Sequence, residues 1–287
     1  MEVKVTLFYC NICNIDCKHC FLDKSLPEMR MEDSLFIKIL REIYQVKDSI
    51  SLISISGGEP MLFLDKIVKM IDEIDSKHEL RISISTNAFW ASTREKSENI
   101  CEILIKSNIR RLEISYDKFH AEFINIRNIY NAVEACKKWG IKAYVIISVE
   151  NGYDYLPMYI ELKRLFDKNM IIIQHVANYG NARQNKMNCM LPIHMFRGER
   201  CSQILNPCID CKANFYACCG ANILSDDSPM LVGNMNDNSF AILVHKMNNY
   251  KKYQTIYKDG PLQLCPSFRD VKECSSLCEL CEVLLRG

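Results

Sequence analysis

Three cysteines near the start of the chain stand in the spacing CxxxCxxC. They are Cys13, Cys17 and Cys20, and they follow an alternating stretch at residues 3–9 that predicts a β-strand. Three thiolates on one tight loop can hold three irons of a 4Fe–4S cluster, for which a full set of protein ligands is four. An open coordination position is where a substrate or cofactor binds.

Two other arrangements remain open for this loop. Cys10, at the end of the predicted strand, could supply a fourth thiolate. A zinc site is the other alternative, although zinc usually takes paired CxxC or CxxH elements. The loop therefore predicts a metal centre, with the three-thiolate cluster preferred.

A second motif follows the second predicted strand, where the chain reads Gly57, Gly58, Glu59 and Pro60. Glycine backbone can approach a ligand closely because it carries no Cβ. Glu59 offers a carboxylate to an ammonium group. Loops that follow adjacent parallel strands lie side by side, so this motif is expected beside the cysteine loop.

The elements that must position these loops are six alternating strands and helices. We predict strands at 3–9, 51–56, 81–86, 110–115, 141–149 and 170–176, with helices at 32–47, 63–76, 93–106, 120–139 and 154–168. Such alternation is typical of a parallel sheet with helices outside. The sequence thus predicts an α/β fold, a partial (β/α)6 TIM barrel, with functional residues at the carboxyl ends of its strands.

The pattern changes after residue 177. Residues 178–200 are expected to be a connector, and from Cys201 onward the chain looks irregular and rich in cysteine. We therefore predict two domains, a barrel over residues 1–195 and a small cysteine-rich iron–sulfur domain over 196–287. So short a segment is poorly held by its own apolar core, and metal clusters can supply the missing stability.

Cysteine usage and charge limit the location and the partners. Of 16 cysteines in 287 residues, four lie in residues 10–20 and nine in residues 201–281, a distribution that favours metal ligation over disulfides. The formal net charge of +1 gives no strong attraction to nucleic acid or to membranes. Neither a signal peptide nor an apolar run of about 18 residues is visible, so a cytoplasmic protein is expected.

The two motifs together resemble the radical S-adenosylmethionine (radical SAM) superfamily, over about residues 3–180. The resemblance implies that the open iron of the cluster binds the amino and carboxylate groups of SAM. It also implies that the segment from Gly57 to Pro60 holds the amino group. One electron then cleaves SAM into methionine and a 5′-deoxyadenosyl radical, which abstracts a substrate hydrogen.

The same resemblance implies SAM contacts at the ends of the later strands. The positions are Thr86, Asn87, Ser115, Asp117, Asn151 and the segment 179–182. The family often has Thr-Asn-Gly after the third strand, whereas Ala88 replaces the glycine here. The alternative for each position is a polar residue that merely forms a turn.

The distal cysteines resemble the SPASM or shorter twitch extension of radical SAM enzymes, which holds one or two auxiliary 4Fe–4S clusters. On this resemblance Cys201, Cys218, Cys278 and Cys281 bind at least one cluster. Cys208, Cys211, Cys265 and Cys274 then remain for a second cluster, a zinc site or free thiols. Ala213 stands in a hairpin turn where the family usually has a glycine. The isolated Cys101, Cys136 and Cys189 are interpreted as packing residues.

Scattered motifs narrow the resemblance to radical SAM epimerases of the epipeptide type, which act on ribosomally made peptides. They are residues 87–90, 114–120, 218–219 and 276–281. The subgroup implies that L-residues become D-residues: the adenosyl radical takes the α-hydrogen and a cysteine thiol returns one from the other face. An external electron donor of the flavodoxin or ferredoxin type is then required.

Cys219 is the candidate for that thiol. Neighbours in a strand point to opposite faces, so Cys219 is expected in the barrel mouth if Cys218 binds the auxiliary cluster. The alternatives are that Cys219 is a packing residue or the true ligand. For the whole protein, the alternatives are a maturase forming thioether or carbon crosslinks, a sulfatase-maturing type, an RNA-modifying enzyme, and a non-enzymatic iron–sulfur or zinc protein.

Overall fold

The computed structural model describes residues 3–75, 77–150, 152–220, 227–264 and 273–286. These residues form a nine-stranded sheet, helices packed against it, and a separate sheet of two short strands. Among the helices in these ranges, none combines the length and apolar character needed to cross a membrane.

The first six strands and five helices alternate as the sequence predicts. The strands are β1 (Val3–Cys10), β2 (Ile50–Gly57), β3 (Ile82–Thr86), β4 (Ile109–Ser115), β5 (Lys142–Val149) and β6 (Ile171–His175). The helices are α1 (Asp33–Gln45), α2 (Leu64–Ile74), α3 (Arg94–Lys106), α4 (Ile126–Lys138) and α5 (Leu156–Leu165). The six strands pair in chain order and in parallel, so the predicted α/β fold is confirmed.

Amphipathic spacing explains why these segments become helices. In α2 the buried residues are Leu64, Ile67, Met70 and Ile71, which recur at three- and four-residue intervals on one face. Thr93 begins α3 by accepting a hydrogen bond from the Lys96 amide at 3.2 Å, which satisfies one free donor of the first turn. The helices therefore present an apolar stripe to the sheet.

The predicted connector carries more structure than expected. It contains a five-residue helix, α6 (Gly180–Gln184), and a two-residue strand, β7 (Leu191–Pro192). A helix this short has less than two turns, so no hydrophobic period could reveal it. Its importance lies in its contacts with the cysteine loop, described below.

The expectation that the chain after Cys201 is irregular is wrong. The strands β8 (Cys208–Ile209), β9 (Asn214–Tyr216), β10 (Leu231–Asn234) and β11 (Glu273–Cys274) are present there. So are the helices α7 (Phe240–Asn249), α8 (Lys251–Asp259) and α9 (Leu277–Arg286). Short strands and a polar α8 gave no clear periodic pattern in the sequence.

The C-terminal strands extend the barrel sheet. β8 pairs in parallel with β1, with Cys208 opposite Thr6, and β9 and β10 follow as antiparallel strands. Phe215 and Leu243 are fully buried in the same apolar cluster as the β1 residues. The division into residues 1–195 and 196–287 stays a proposal; across it, the two parts share one sheet and one core.

Two glycines allow the end of β2 to touch the chain that follows β1. A Cβ on Gly57, whose φ is +141°, would lie 2.2 Å from the Cys10 carbonyl oxygen. A Cβ on Gly58 would lie 2.0 Å from the carbonyl oxygen of Ile12. The Gly58 and Glu59 amides donate to these two oxygens at 2.7 and 2.8 Å. Glycine is therefore required here because protein backbone, rather than a ligand, comes close.

We expect Gly58→Ala to lower the free energy of unfolding by about 3 kcal/mol, the upper range for overpacking a tight site. Gly140→Ala is the matched control: Gly140 has a φ of +70° and nothing within 4 Å of its added Cβ. It should cost only the left-handed backbone penalty, about 1 kcal/mol. Urea denaturation measures both values. Equal losses in the two variants would contradict the close-contact argument.

Candidate active site

One cavity of about 450 Å³ brings the two groups of cysteines together. The predicted site residues along its wall are Cys13, Cys17, Cys20, Gly57, Gly58, Thr86, Asn87, Ser115, Cys201, Cys218, Cys219 and Cys278. Four others lie behind that wall, each buried: Glu59, Pro60, Asp117 and Cys281. Asn151 and Cys265 lie outside the described residues.

The cysteine loop is held from two sides by side-chain and backbone hydrogen bonds. After β3, the Asn87 side-chain amide donates to Asn14 Oδ1 at 2.9 Å and lies 3.9 Å from Cys13 Sγ. From α6, the Asn181 amide donates to the Leu22 oxygen at 3.0 Å, and its side chain donates to Asp16 Oδ1 at 2.9 Å. The predicted segment 179–182 thus contacts the loop itself, in addition to any ligand it binds.

The three loop thiols suit a soft metal centre. Burial raises the pKa of Cys13, Cys17 and Cys20, so each thiol is protonated until a metal displaces its proton. Three sulfur donors from one loop, all on one cavity wall, match the ligands of an iron–sulfur cluster. Cys10 is fully buried, and its thiol donates to the Ile12 oxygen at 3.6 Å, away from the cavity lining.

Glu59 is completely buried and bonded to backbone. Its carboxylate accepts from the Asn87 amide at 2.7 Å and from the Met61 amide at 3.1 Å, and the Thr86 side chain also hydrogen-bonds it. Burial raises the pKa of Glu59 to about 7 although these hydrogen bonds oppose the shift. The carboxylate therefore ties the end of β2 to the end of β3.

Asp117 lies behind the cavity wall and joins two histidines, His19 and His120, that line the cavity. Its carboxylate accepts from His120 Nδ1 at 2.9 Å and from the Ser148 amide at 3.2 Å, and lies 3.4 Å from His19 Nε2. Burial opposes ionisation, but the His120 hydrogen bond and the two histidines hold the pKa of Asp117 at about 2. Asp117 is therefore a structural anion at the end of β4.

His19 and His120 are site residues that the sequence reasoning did not assign. His19 stands between Cys17 and Cys20 and stacks on Phe119 at 4.4 Å. Burial lowers its pKa to about 4, so its ring is neutral. Its Nδ1 is buried with no hydrogen-bond partner among the described residues. Ligand atoms of Cys17, His19 and His120 lie within 4.8 Å of one another, a signal that only the fold reveals.

The distal thiols assigned to the auxiliary cluster lie near one another. Besides burial, Cys278 and Cys201 raise the pKa of Cys218, and the same two thiols raise that of Cys281. Cys218 follows β9, and Cys278 and Cys281 lie on α9. The hairpin and the terminal helix therefore bring these four residues together. The hairpin turn has Ala213 at a φ of +68°, the conformation for which glycine is usual.

Of the other distal thiols, Cys208 lies near Cys211, which raises its pKa, whereas Cys274 lies in a different apolar cluster. Cys274, on β11, packs with Phe196, Leu262 and Leu280 in its own apolar cluster. Cys208 is fully buried on β8. The isolated Cys101 and Cys136 lie 3.8 Å apart, both buried, as packing residues do.

Cys219 faces the cavity. It is half-buried, lines the wall, and donates its S–H to Gln203 Oε1 at 3.5 Å. The Thr6 hydroxyl also hydrogen-bonds its sulfur. A free thiol thus shares one cavity with the cysteine loop.

Known proteins resemble this chain in sequence. A Bacillus subtilis (strain 168) protein with the name peptide biosynthesis protein YydG is 33% identical over 129 residues, 44% of this chain and 40% of that protein. The GTP 3′,8-cyclase of Listeria monocytogenes is 24% identical over 199 residues, 63% of this chain and 56% of the enzyme. The matches thus span about half the length of these relatives.

A solved structure shares the fold at low identity. The anSMEcpe structure with bound AdoMet and Kp18Cys peptide matches with a TM-score of 0.60 and 13% identity, covering 100% of this chain and 96% of that one. Residues 7–150, half of the 287, match the family described as the radical SAM superfamily, and both the cysteine loop and the glycine motif lie inside that range. The chain belongs to the radical SAM superfamily.

Proposed function

We propose that this radical SAM enzyme epimerises L-residues of a ribosomally made peptide to D-residues. The observation that carries the proposal is the position of Cys219, whose free thiol lines the same cavity as Cys13, Cys17 and Cys20. An epimerase of this type needs both a radical source and a hydrogen donor within reach of one substrate carbon.

The residues that would hold the cofactors are those of the cavity wall. Cys13, Cys17 and Cys20 would ligate the 4Fe–4S cluster, and SAM would contact the wall formed by Gly57, Gly58, Thr86, Asn87 and Ser115. When bound and reduced, cluster and SAM together supply a 5′-deoxyadenosyl radical. Glu59 and Asp117 act from behind the wall by fixing the loops that carry these contacts.

An auxiliary 4Fe–4S cluster is proposed on Cys201, Cys218, Cys278 and Cys281. Cys201 and Cys278 both raise the pKa of Cys218 and of Cys281, as neighbouring thiols do, and this proximity supports the grouping. Three of them also line the cavity, so this cluster would lie beside the substrate.

In the returning step, Cys219 donates a hydrogen atom to the α-carbon radical. The S–H bond breaks, the Cα–H bond forms, and a thiyl radical remains on Cys219. One electron from a flavodoxin- or ferredoxin-type donor and one solvent proton restore the thiol. The half-buried thiol can exchange its hydrogen with solvent between turnovers.

The peptide substrate is supported by the relatives. YydG is described as a peptide biosynthesis protein, and the anSMEcpe structure holds a peptide. The near-neutral charge offers little to RNA. A crosslinking maturase is the alternative within the peptide class, and product mass distinguishes it: crosslinking removes two hydrogens, whereas epimerisation in light water leaves the mass unchanged. We also propose a cytoplasmic location, where the thiols stay reduced.

Iron content tests the two cluster sites. The anaerobically reconstituted protein should carry about eight irons, and the triple Ala variant of Cys13, Cys17 and Cys20 should lose about four of them, together with SAM cleavage. Colorimetric iron analysis measures this. Cys101→Ala is the control, because Cys101 is buried between helices and should leave the iron unchanged. Loss of all iron, or of none, would contradict separate sites.

Glu59→Gln tests whether Glu59 positions the residues that line the cavity. The new amide would face a backbone N–H and leave it unsatisfied, so we expect a loss of about 1–3 kcal/mol in the free energy of unfolding, with weaker SAM binding as a consequence. The exposed Glu28→Gln should change stability by less than about 0.5 kcal/mol. Unchanged stability with lost SAM affinity would instead make Glu59 a direct ligand.

Glu59 should also make the free energy of unfolding depend on pH. Folding raises the pKa of Glu59 from 4.5 to about 7, so its contribution to stability is fully present below pH 4.5 and is lost as the pH rises through 7. The stability of the wild type relative to Glu59→Gln should therefore fall between about pH 4.5 and 7. Denaturation at several pH values measures the difference, and a flat difference would refute the buried carboxyl.

Cys219→Ala tests the hydrogen donor on a peptide substrate, which is identified by screening the products of short reading frames near this chain's gene. In heavy water the wild type should place one deuterium at the α-carbon of each D-residue, while the variant should form 5′-deoxyadenosine without D-residues. Chiral amino-acid analysis and mass spectrometry give both readouts, and Cys136→Ala is the control thiol. A variant that still makes deuterated D-residues at the wild-type rate ends the proposal, and one that loses iron makes Cys219 a ligand.

A further inference from the structure

The Cys219 thiol makes two side-chain contacts that the proposed function does not explain. Its S–H donates to Gln203 Oε1 at 3.5 Å. The Thr6 side chain is hydrogen-bonded to the same thiol, and its hydroxyl donates to the sulfur. The sulfur therefore accepts one hydrogen bond and donates another.

The two partners come from different parts of the fold, and both are anchored. Thr6 lies in the middle of β1, is 8% exposed, and its amide donates to the Pro207 oxygen at 2.8 Å. Gln203 lies before β8, where the Asn206 amide donates to its carbonyl oxygen at 3.1 Å. The Gln203 side-chain amide donates to Ser202 Oγ at 3.4 Å, which leaves its oxygen for the thiol.

These contacts determine where the thiol hydrogen points. A cysteine side chain with no partner samples several staggered rotamers, and the S–H bond rotates as well. Here the Thr6 contact restricts the sulfur, and the Gln203 contact restricts the hydrogen. Since Gln203 and Cys219 both line the cavity, the hydrogen is held along the cavity wall. Transfer between reacting atoms depends steeply on such alignment.

The geometry points to Gln203 and Thr6 as positioning residues that aim the Cys219 hydrogen for its return to the substrate radical. This inference rests on the proposed epimerase function. In the transfer the S–H bond breaks and the Cα–H bond forms, and neither positioning residue gains or loses a proton or an electron. The thiyl radical is reset by the same external one-electron donor and solvent proton.

Matched variants test this role. Thr6→Val keeps the shape and removes the hydroxyl, whereas Thr6→Ser keeps the hydroxyl. Gln203→Leu removes the acceptor, whereas Gln203→Glu keeps an acceptor oxygen. Each reconstituted holoenzyme is assayed in heavy water with the peptide substrate identified by that screen, and the readout is deuterated D-residues per 5′-deoxyadenosine. The S–H infrared band of Cys219, taken as wild type minus Cys219→Ala, is read on the same proteins without substrate.

We expect 5′-deoxyadenosine formation within about twofold of wild type in all four variants, because neither residue is a cluster ligand. The ratio of D-residue to 5′-deoxyadenosine should fall about three- to tenfold in Thr6→Val and Gln203→Leu, the size of one lost hydrogen bond expressed as a rate. It should recover in Thr6→Ser and Gln203→Glu. The S–H band should move to higher frequency in Gln203→Leu and stay lower in Gln203→Glu.

Three results would overturn the inference. An unchanged ratio with an unmoved S–H band shows that neither residue aims the thiol. A rise in peptide KM with an unchanged ratio makes Gln203 a substrate contact only. Iron loss in all four variants makes the role structural. If the wild type itself forms no D-residues, the proposed function fails, while the infrared band still decides whether Gln203 holds the thiol hydrogen.

Discussion

The contact between the end of β2 and the chain leaving β1 is the constraint on which the cavity depends. At Gly57 and Gly58 the two backbones approach so closely that a Cβ on either glycine would lie about 2 Å from a carbonyl oxygen. Two amide hydrogen bonds join the strands there. The cysteine loop begins at this junction, which therefore fixes the start of the segment that carries all three loop thiols.

Successive hydrogen bonds carry this constraint around the mouth of the barrel. Glu59 links the junction to the amide of Asn87, and Asn87 in turn reaches Asn14 on the cysteine loop. From the opposite end of the barrel sheet, Asn181 on α6 binds the same loop. A loop without regular secondary structure is thereby held from both sides, which a metal site requires because ligand orientation depends on surrounding contacts.

The sequence predicted the elements of the barrel well because each had a clear period. The observed ends of the strands and helices agree with the predicted ends within a few residues. The exception is α4, which begins at Ile126 rather than near residue 120 because a short turn of 3₁₀ helix precedes it. The motifs also indicated which loops meet. What spacing alone could not show was the direction of the Glu59 carboxylate, since its partners are backbone amides from another strand. The His19–Asp117–His120 group was equally invisible, because it joins residues a hundred positions apart.

For the C-terminal region, the amino-acid composition led to the wrong prediction of an irregular chain after Cys201. A high density of cysteine and weak periodicity are typical of a small domain held by metals. In this chain, however, β8 pairs with β1 at the edge of the barrel sheet. The apolar residues after Cys201 pack into the same core as the barrel residues. That pairing has a chemical consequence. By fixing Cys208 opposite Thr6, it sets the start of the hairpin that ends at Cys218 and Cys219. The segment that carries Cys219 is therefore positioned by β1, the same strand that leads into the cysteine loop. As a result, β1 determines the separation between the proposed hydrogen donor and the proposed radical source.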